Sequence, residues 1–433
     1  MLEYTNKVCL APMVRTGELP MRLLSLQYGC DLVWSPELID KKLITSERKV
    51  NAKLGTIDFV TPNKHIKKKE QSPKQQQEEE EVIIFRKHPN ETGKLILQLG
   101  TSSPDLAVEA ARKVIDDVEG IDLNCGCPKS FSTHSGMGAE LLKTPDLLCS
   151  ILTNLVNRIG KPNNKPISCK IRLLPNYEAT FALVEKICQT GISNLTIHCR
   201  TPIMRNRQDP IWNYLPRLIP MIQGFGVSVI LNGNFQGKQD LANLQKAMKN
   251  EKISIMIGEA AEANPSIFSS SSSSSSSFPI TQAQSISQIF KLSEKYGNFP
   301  NTKYVILNMI VGKSKYFTSL AQSKSFDQMR MVIAEIDKET KKIEDGEVIK
   351  DRVFSIMNRN CQRAQFWSQE EYNRNMEQRG VEMAQYFEQW DEKTMLADLY
   401  DTVTPRKRQA SDKHKKKEIN EESQIKRQKI EVN

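Results

Sequence analysis

Eight short apolar runs, each closing on a polar or glycine-bearing turn, constrain this 433-residue chain more than any other feature. They lie at residues 8–11, 32–35, 95–99, 120–123, 167–171, 194–198, 228–232 and 253–257. The runs are rich in β-branched residues and do not alternate with polar ones, as expected of strands covered on both faces of a parallel sheet. Amphipathic spacers separate them. One has Pro104 near its start, and another carries Phe181, Val184, Ile187 and Cys188 on one stripe. Eight βα units over roughly 250 residues predict an α/β fold, a (β/α)8 TIM barrel. An open doubly wound sheet is the alternative.

Three stretches do not fit the barrel. Residues 63–81 are polar and nearly balanced in charge, and residues 269–277 are an unbroken serine run, so both read as loops or linkers. From 404 to 433 there are ten Lys/Arg against five Asp/Glu, which is half of the chain's +10, with few apolar residues to repay ordering. The organisation predicted is a barrel domain at 1–268 interrupted at about 63–81, a serine-rich linker at 269–279, an all-helical domain at 280–400 and a disordered basic tail at 401–433. Long amphipathic segments at 285–296 and 327–343 support the helical domain. Cations and aromatics mix between Asn301 and Tyr316, which suits a nucleic-acid backbone or an ordinary helix surface. A pI near 9.0 favours polyanionic partners. No run of about 18 apolar residues predicts a membrane span. Nine scattered cysteines without a charged-then-apolar leader point to a reducing, intracellular compartment. The expectation is a monomer of the cytoplasm or nucleus, the tail resembling an import signal.

In a parallel barrel the chemistry gathers at the C-terminal ends of the strands. Here Ala11-Pro12-Met13-Val14 closes the first run, Glu37 follows the second, Gln98 sits in the third, and Asn124-Cys125-Gly126-Cys127-Pro128 ends the fourth. Lys170-Ile171-Arg172, His198-Cys199-Arg200, Asn232-Gly233-Asn234 and Gly258-Glu259 end the remaining four. The last two turns stand where barrels commonly hold a phosphate on backbone N–H groups, and Gly233 and Gly258 permit the approach. Lys170 offers a fixed cation, His198 a hydrogen-bond donor, and Gln98 a donor and an acceptor together. A phosphorylated ring cofactor needs this combination, and flavin mononucleotide (FMN) fits best. Cys125 and Cys127 lack a second ligand pair, so no metal is expected. They read as buried small hydrophobes or, at the Cys127 turn between Gly126 and Pro128, as one working thiol.

These residues resemble the tRNA-dihydrouridine synthases, and over almost the whole chain the eukaryotic dihydrouridine synthase 2 group in its fungal form. The motifs are Ala11-Pro12-Met13-Val14-Arg15, Leu19-Pro20-Met21-Arg22, Glu37-Leu38-Ile39-Asp40, Gln98-Leu99-Gly100-Thr101, Gly120-Ile121-Asp122-Leu123-Asn124, Gly126-Cys127-Pro128-Lys129, Gly136-Met137-Gly138-Ala139, Cys169-Lys170-Ile171-Arg172 and Asn264-Pro265-Ser266-Ile267-Phe268. The resemblance implies an FMN-bearing barrel joined to a helical tRNA-binding domain, with Cys127 as proton donor. Pro12, Met13, Val14, Glu37, Gln98, Lys170, His198, Asn232, Gly233, Asn234, Gly258 and Glu259 are assigned to the cofactor. Asn124, Lys129, Arg172, Arg200, Arg205 and Arg207 are assigned to the RNA. Three features depart from the pattern: His134-Ser135 replace a basic residue and Gly, Glu259 replaces Arg, and no double-stranded-RNA-binding domain is evident.

The implied reaction reduces the C5=C6 bond of a D-loop uridine at position 20 of tRNA. Hydride enters C6, and the enolate left behind needs a proton at C5, for which a thiol must stay S–H until used. NADPH or NADH would visit the same mouth as diffusible reductant, since no Gly-x-Gly-x-x-Gly fingerprint is present. The alternatives are a small-molecule flavin oxidoreductase of the dihydroorotate or enoate type and a non-catalytic tRNA-binding protein.

Overall fold

The computed structural model describes residues 2–62, 81–269, 282–310, 314–344 and 369–391. Its strands are β1 (Val8–Leu10), β2 (Leu32–Trp34), β3 (Leu38–Ile39), β4 (Glu47–Asn51), β5 (Thr56–Pro62), β6 (Glu81–Lys87), β7 (Leu95–Gly100), β8 (Gly120–Cys125), β9 (Ile167–Arg172), β10 (Asn194–His198), β11 (Ser228–Asn232) and β12 (Ser254–Ile257). The order β2-β1-β12-β11-β10-β9-β8-β7 is parallel throughout and closes on itself through a β2–β7 pairing. The eight predicted runs are therefore the eight barrel strands, some shifted by one or two residues at an end. The predicted helices are also present, at Pro104–Val114 and Tyr177–Gln189.

The two-residue period of a strand sorts the barrel interior into two walls. Cys9, Ala11, Leu32, Trp34, Ile96, Ile230 and Met256 pack together above Tyr4 as an apolar wall. On β8 to β10 the partnered positions Asp122↔Ser168, Asn124↔Lys170, Thr196↔Lys170 and His198↔Arg172 make the other wall polar. Each fully buried Leu, Ile or Val of such a core is worth about 1.5–3 kcal/mol over exposure.

Four strands lie outside the ring. β3 extends the β7 edge with Leu38↔Leu99 and Ile39↔Gly100 in register. β4, β5 and β6 form an antiparallel sheet that the sequence reading did not anticipate. Glu81, assigned from sequence to the polar tract, is instead the first residue of β6, where its carboxylate pairs with Lys49. The rest of that tract, the linker beyond Ser269 and the tail lie outside the described residues.

After the barrel, all the described segments are helical, as expected: Gln282–Tyr296, Phe299–Met309, Lys315–Gln322, Phe326–Glu344 and Gln369–Glu388. They pack on the barrel within one compact unit that ends at Gln389. Gln282–Tyr296 rests on Leu19–Gln27, and Gln369–Glu388 lies along Gln239–Met248. Arg86 of β6 makes a further tie, since it pairs with both oxygens of Asp58, each at 2.6 Å, and donates to the carbonyl of Tyr296 at 2.7 Å. Among the described residues no helix is long and apolar enough to cross a membrane.

Candidate active site

The strand ends open into a cavity of about 460 Å³, a volume suited to a cofactor-sized ligand. All twelve residues assigned to the cofactor line it, as do Cys127, Asn124, Lys129, Arg172 and Arg200. Arg205 and Arg207 do not. They are exposed on a loop beside the mouth, and it is Asn206 between them that enters, its amide donating to the Glu259 carboxylate.

The floor is built on a carboxylate that the sequence reading gave no role. Asp122 is fully buried, accepting from Gln98 Nε2 at 2.8 Å and from Ser168 Oγ at 2.7 Å. Burial pushes its pKa up to about 6, against those hydrogen bonds and the Lys170 charge. Lys170 is brought down to about 8, chiefly by burial and then by Arg172, with Asp122 opposing. A charged residue inside an otherwise apolar strand, two positions before Asn124 and so on its face, was the signal available. His198 is held well below the usual imidazole range by burial and by Lys170, Arg172 and Arg200, so it is neutral at pH 7. Arg200 Nη1 lies 3.2 Å from His198 Nε2. A guanidinium can only donate, so Nε2 accepts and the ring proton belongs on Nδ1.

The lip is organised around one turn. Asn124 Oδ1 accepts from the N–H groups of both Gly126 and Cys127 at 3.0 Å, while Arg172 donates to the Gly126 carbonyl at 2.9 Å and the Thr201 carbonyl at 3.0 Å. Asn124 and Arg172 thus shape the thiol's turn as well as lining the mouth. Gly138 has φ +60°, and a Cβ there would stand 2.6 Å from the Cys127 carbonyl oxygen, so only glycine fits without displacement. Cys127, beyond the end of β8, is half-buried, whereas Cys125, on the face of β8 opposite Asp122 and Asn124, is fully buried.

Glu37 stands against this thiol. Its Oε1 accepts from Ser132 at 3.0 Å, and Oε2 is buried without a hydrogen-bond partner among the described residues. A Cβ at Gly100 would come within 2.6 Å of Glu37 Oε1, so that glycine makes room for the carboxylate. Burial first, and the Glu37 charge second, push the Cys127 pKa up. Burial likewise raises that of Glu37.

Opposite the lip, Asn232 donates to the Met256 carbonyl at 2.9 Å, and Gly233 and Asn234 follow with φ of +136° and +65°. The helical segment contributes Tyr304 and Asn308, which no sequence signal singled out beyond the cation–aromatic mixture around them. Arg15 lies 4.3 Å over the Tyr304 ring. Asn308 and Thr16 both donate to Glu262 Oε1, at 3.2 and 2.7 Å. A half-buried cation, an amide tied to a carboxyl, an apolar wall and backbone turns at the far side suit a flat polar ring with an anionic tail.

The family model described as Dihydrouridine synthase (Dus) matches residues 9–354. A Saccharomyces cerevisiae protein, tRNA-dihydrouridine(20) synthase (NAD(P)+), is 45% identical over 340 residues, covering 78% of this chain and 85% of that protein. The Schizosaccharomyces pombe protein of the same name is 45% identical over 336 residues, covering 76% of this chain and 65% of the relative, just under two thirds of its length. A human tRNA-dihydrouridine(20a/20b) synthase (NAD(P)+)-like protein is 28% identical over 262 residues, covering 60% of this chain and 70% of that protein.

Proposed function

This chain belongs to the dihydrouridine synthase family, and on that premise we propose that it reduces a tRNA uridine, at position 20 of the D loop, to dihydrouridine, with FMN in the barrel mouth and NADPH or NADH as reductant. When bound, FMN supplies a hydride for C6 of the uracil ring. Gln98, Lys170 and His198 would hold its ring, and the turns at Asn232 to Asn234 and Gly258-Glu259 its phosphate. Lys170 brings a half-buried ammonium of the polar wall to the place where negative charge has to be balanced. The Asp122 carboxyl fixes the Gln98 amide so that it does not rotate freely at the floor of the mouth.

Cys127 holds a proton at Sγ for C5 of the base. A nucleophilic cysteine needs a lowered pKa, but a proton donor needs the reverse, and burial together with Glu37 supplies it. The half-buried thiol at the lip of a cavity that Lys170 also lines is the observation that carries the reading. A base can reach it only after leaving its stack, so the rim residues Lys129, Arg205 and Arg207 and the ring of Tyr304 are suited to phosphates and a neighbouring base rather than to a sequence. The test uses purified full-length protein: it should release flavin on denaturation and, given NADPH, form dihydrouridine at position 20 of unmodified tRNA. Protein that neither carries nor takes up flavin would overturn the proposal, and turnover of free pyrimidines in place of tRNA would reassign the substrate.

A further inference from the structure

The last described helix, Gln369–Glu388, reaches back to the far side of the mouth. Arg379 donates through Nε to Asp240 Oδ1 at 2.9 Å and through Nη2 to Asp240 Oδ2 at 2.8 Å. The same Nη2 lies 2.7 Å from the carbonyl oxygen of Asn234. Asp240 is completely buried and the Arg379 side chain is 14% exposed, so the pair works in low dielectric. Asp240 Oδ2 also accepts from the Gln236 N–H at 2.6 Å, and the Gln236 amide donates to Asn234 Oδ1 at 3.1 Å. Both ends of the Asn234–Gln236 turn are thereby fixed.

Two further contacts seat the helix. Asn243 donates to the Met376 carbonyl at 2.8 Å, and a Cβ at Gly237 would stand 2.2 Å from the Tyr372 hydroxyl, which fills that space. Trp212 stacks between Phe235 of the turn, at 6.4 Å, and Phe387 of the helix, at 6.0 Å.

We propose that the Gln369–Glu388 helix, through Arg379, is a positioning element for the cofactor's phosphate; this rests on the flavin reading above. Gly233 and Asn234 stand at positive φ, which Gly adopts freely and Asn more readily than other residues, and what fixes the turn in that conformation is its contacts. Arg379 supplies one of these contacts by capturing the Asn234 carbonyl. The peptide is planar and trans, so this turns the N–H of Phe235 away from the arginine, and Asn234 and Phe235 both line the mouth. The arginine charge is neutralised by Asp240, so Arg379 acts by fixing the turn's amides and not as a charge for the phosphate.

The experiment compares the affinity of the cofactor-free full-length protein for FMN and for riboflavin, which lacks the phosphate, by quenching of flavin fluorescence. Arg379→Ala should weaken FMN about tenfold, the scale of one lost charge-assisted hydrogen bond, and leave riboflavin unchanged. Arg379→Lys, which keeps the Asp240 charge paired, should fall between the two and serves alone if the alanine variant does not fold. Equal losses for both flavins, or no change for either, would overturn the proposal. If the unaltered protein binds neither flavin, the flavin reading itself fails.

Discussion

The division of labour at the lip gives separable outcomes for two cysteines two residues apart. Cys127→Ala should bind flavin and accept electrons from NADPH, yet form little or no dihydrouridine, because this thiol is the group the proposed reaction relies on to protonate C5. Cys125→Ala should keep most activity, since that thiol is fully buried on the face of β8 turned away from Asp122 and Asn124. Equal loss in both would point to a structural role; tRNA nucleoside analysis reads the difference. Glu37→Gln tests what keeps the thiol protonated. The carboxylate raises the Cys127 pKa, so its removal should shift the alkaline limb of the rate profile to lower pH, and an unmoved limb would show that burial alone suffices. Lys170 has a pKa near 8 and is charged below it, so FMN affinity should fall as pH rises through about 8. Lys170→Met should bind more weakly and lose that dependence, which titration at pH 7 and pH 9 would check. Strand-end residues such as Gln98, Lys170 and Cys127 were legible because position alone nominates them. Asp122 was not, because its importance lies in what touches it, and Glu37 was legible as a site residue while its place beside the thiol was not.

At the scale of elements, every barrel strand could be read from sequence, because a run buried on both faces is mostly apolar and β-branched and needs no neighbour to identify it. The antiparallel sheet could not. β4 is Glu-Arg-Lys-Val-Asn, with Glu47 and Arg48 exposed, and what makes it a strand is its pairing with β5. Tertiary pairing overrides local propensity there. The sheet also tells where the polar tract may be cut. Because Pro62 and Glu81 are paired partners at the open end of β5 and β6, deleting residues 67–80 leaves both strands whole. Thermal stability and flavin content should stay nearly unchanged; a large drop in the melting midpoint would mean that the tract packs on the barrel. Extending the deletion into β6 should be costly, because Arg86 and its pairing with Asp58 tie this sheet to the helical segment.

For the whole molecule, the excess positive charge from residue 404 onward predicts a contribution to tRNA binding that is general and screened by salt. Truncation at Thr404 should keep the flavin and make the salt dependence of tRNA affinity shallower, by about 0.7–0.9 in the log–log slope for each phosphate that the tail would have neutralised. An unchanged slope, with unchanged distribution of a tagged protein between nucleus and cytoplasm, would remove both roles from the tail. The closed ring has a consequence of another kind, for biosynthesis. β1 pairs with β12, Val8 opposite Ile255, and Lys7 N–H bonds Ser254 Oγ across 247 residues of chain. At a synthesis rate of about 5–20 residues per second, the first strand emerges some 10–50 s before the strand that completes its pairing has even been translated. For that interval the growing polypeptide carries apolar strands with unpaired edges, so chaperone occupancy should be greatest before residue 257 emerges and fall once it has cleared the ribosome.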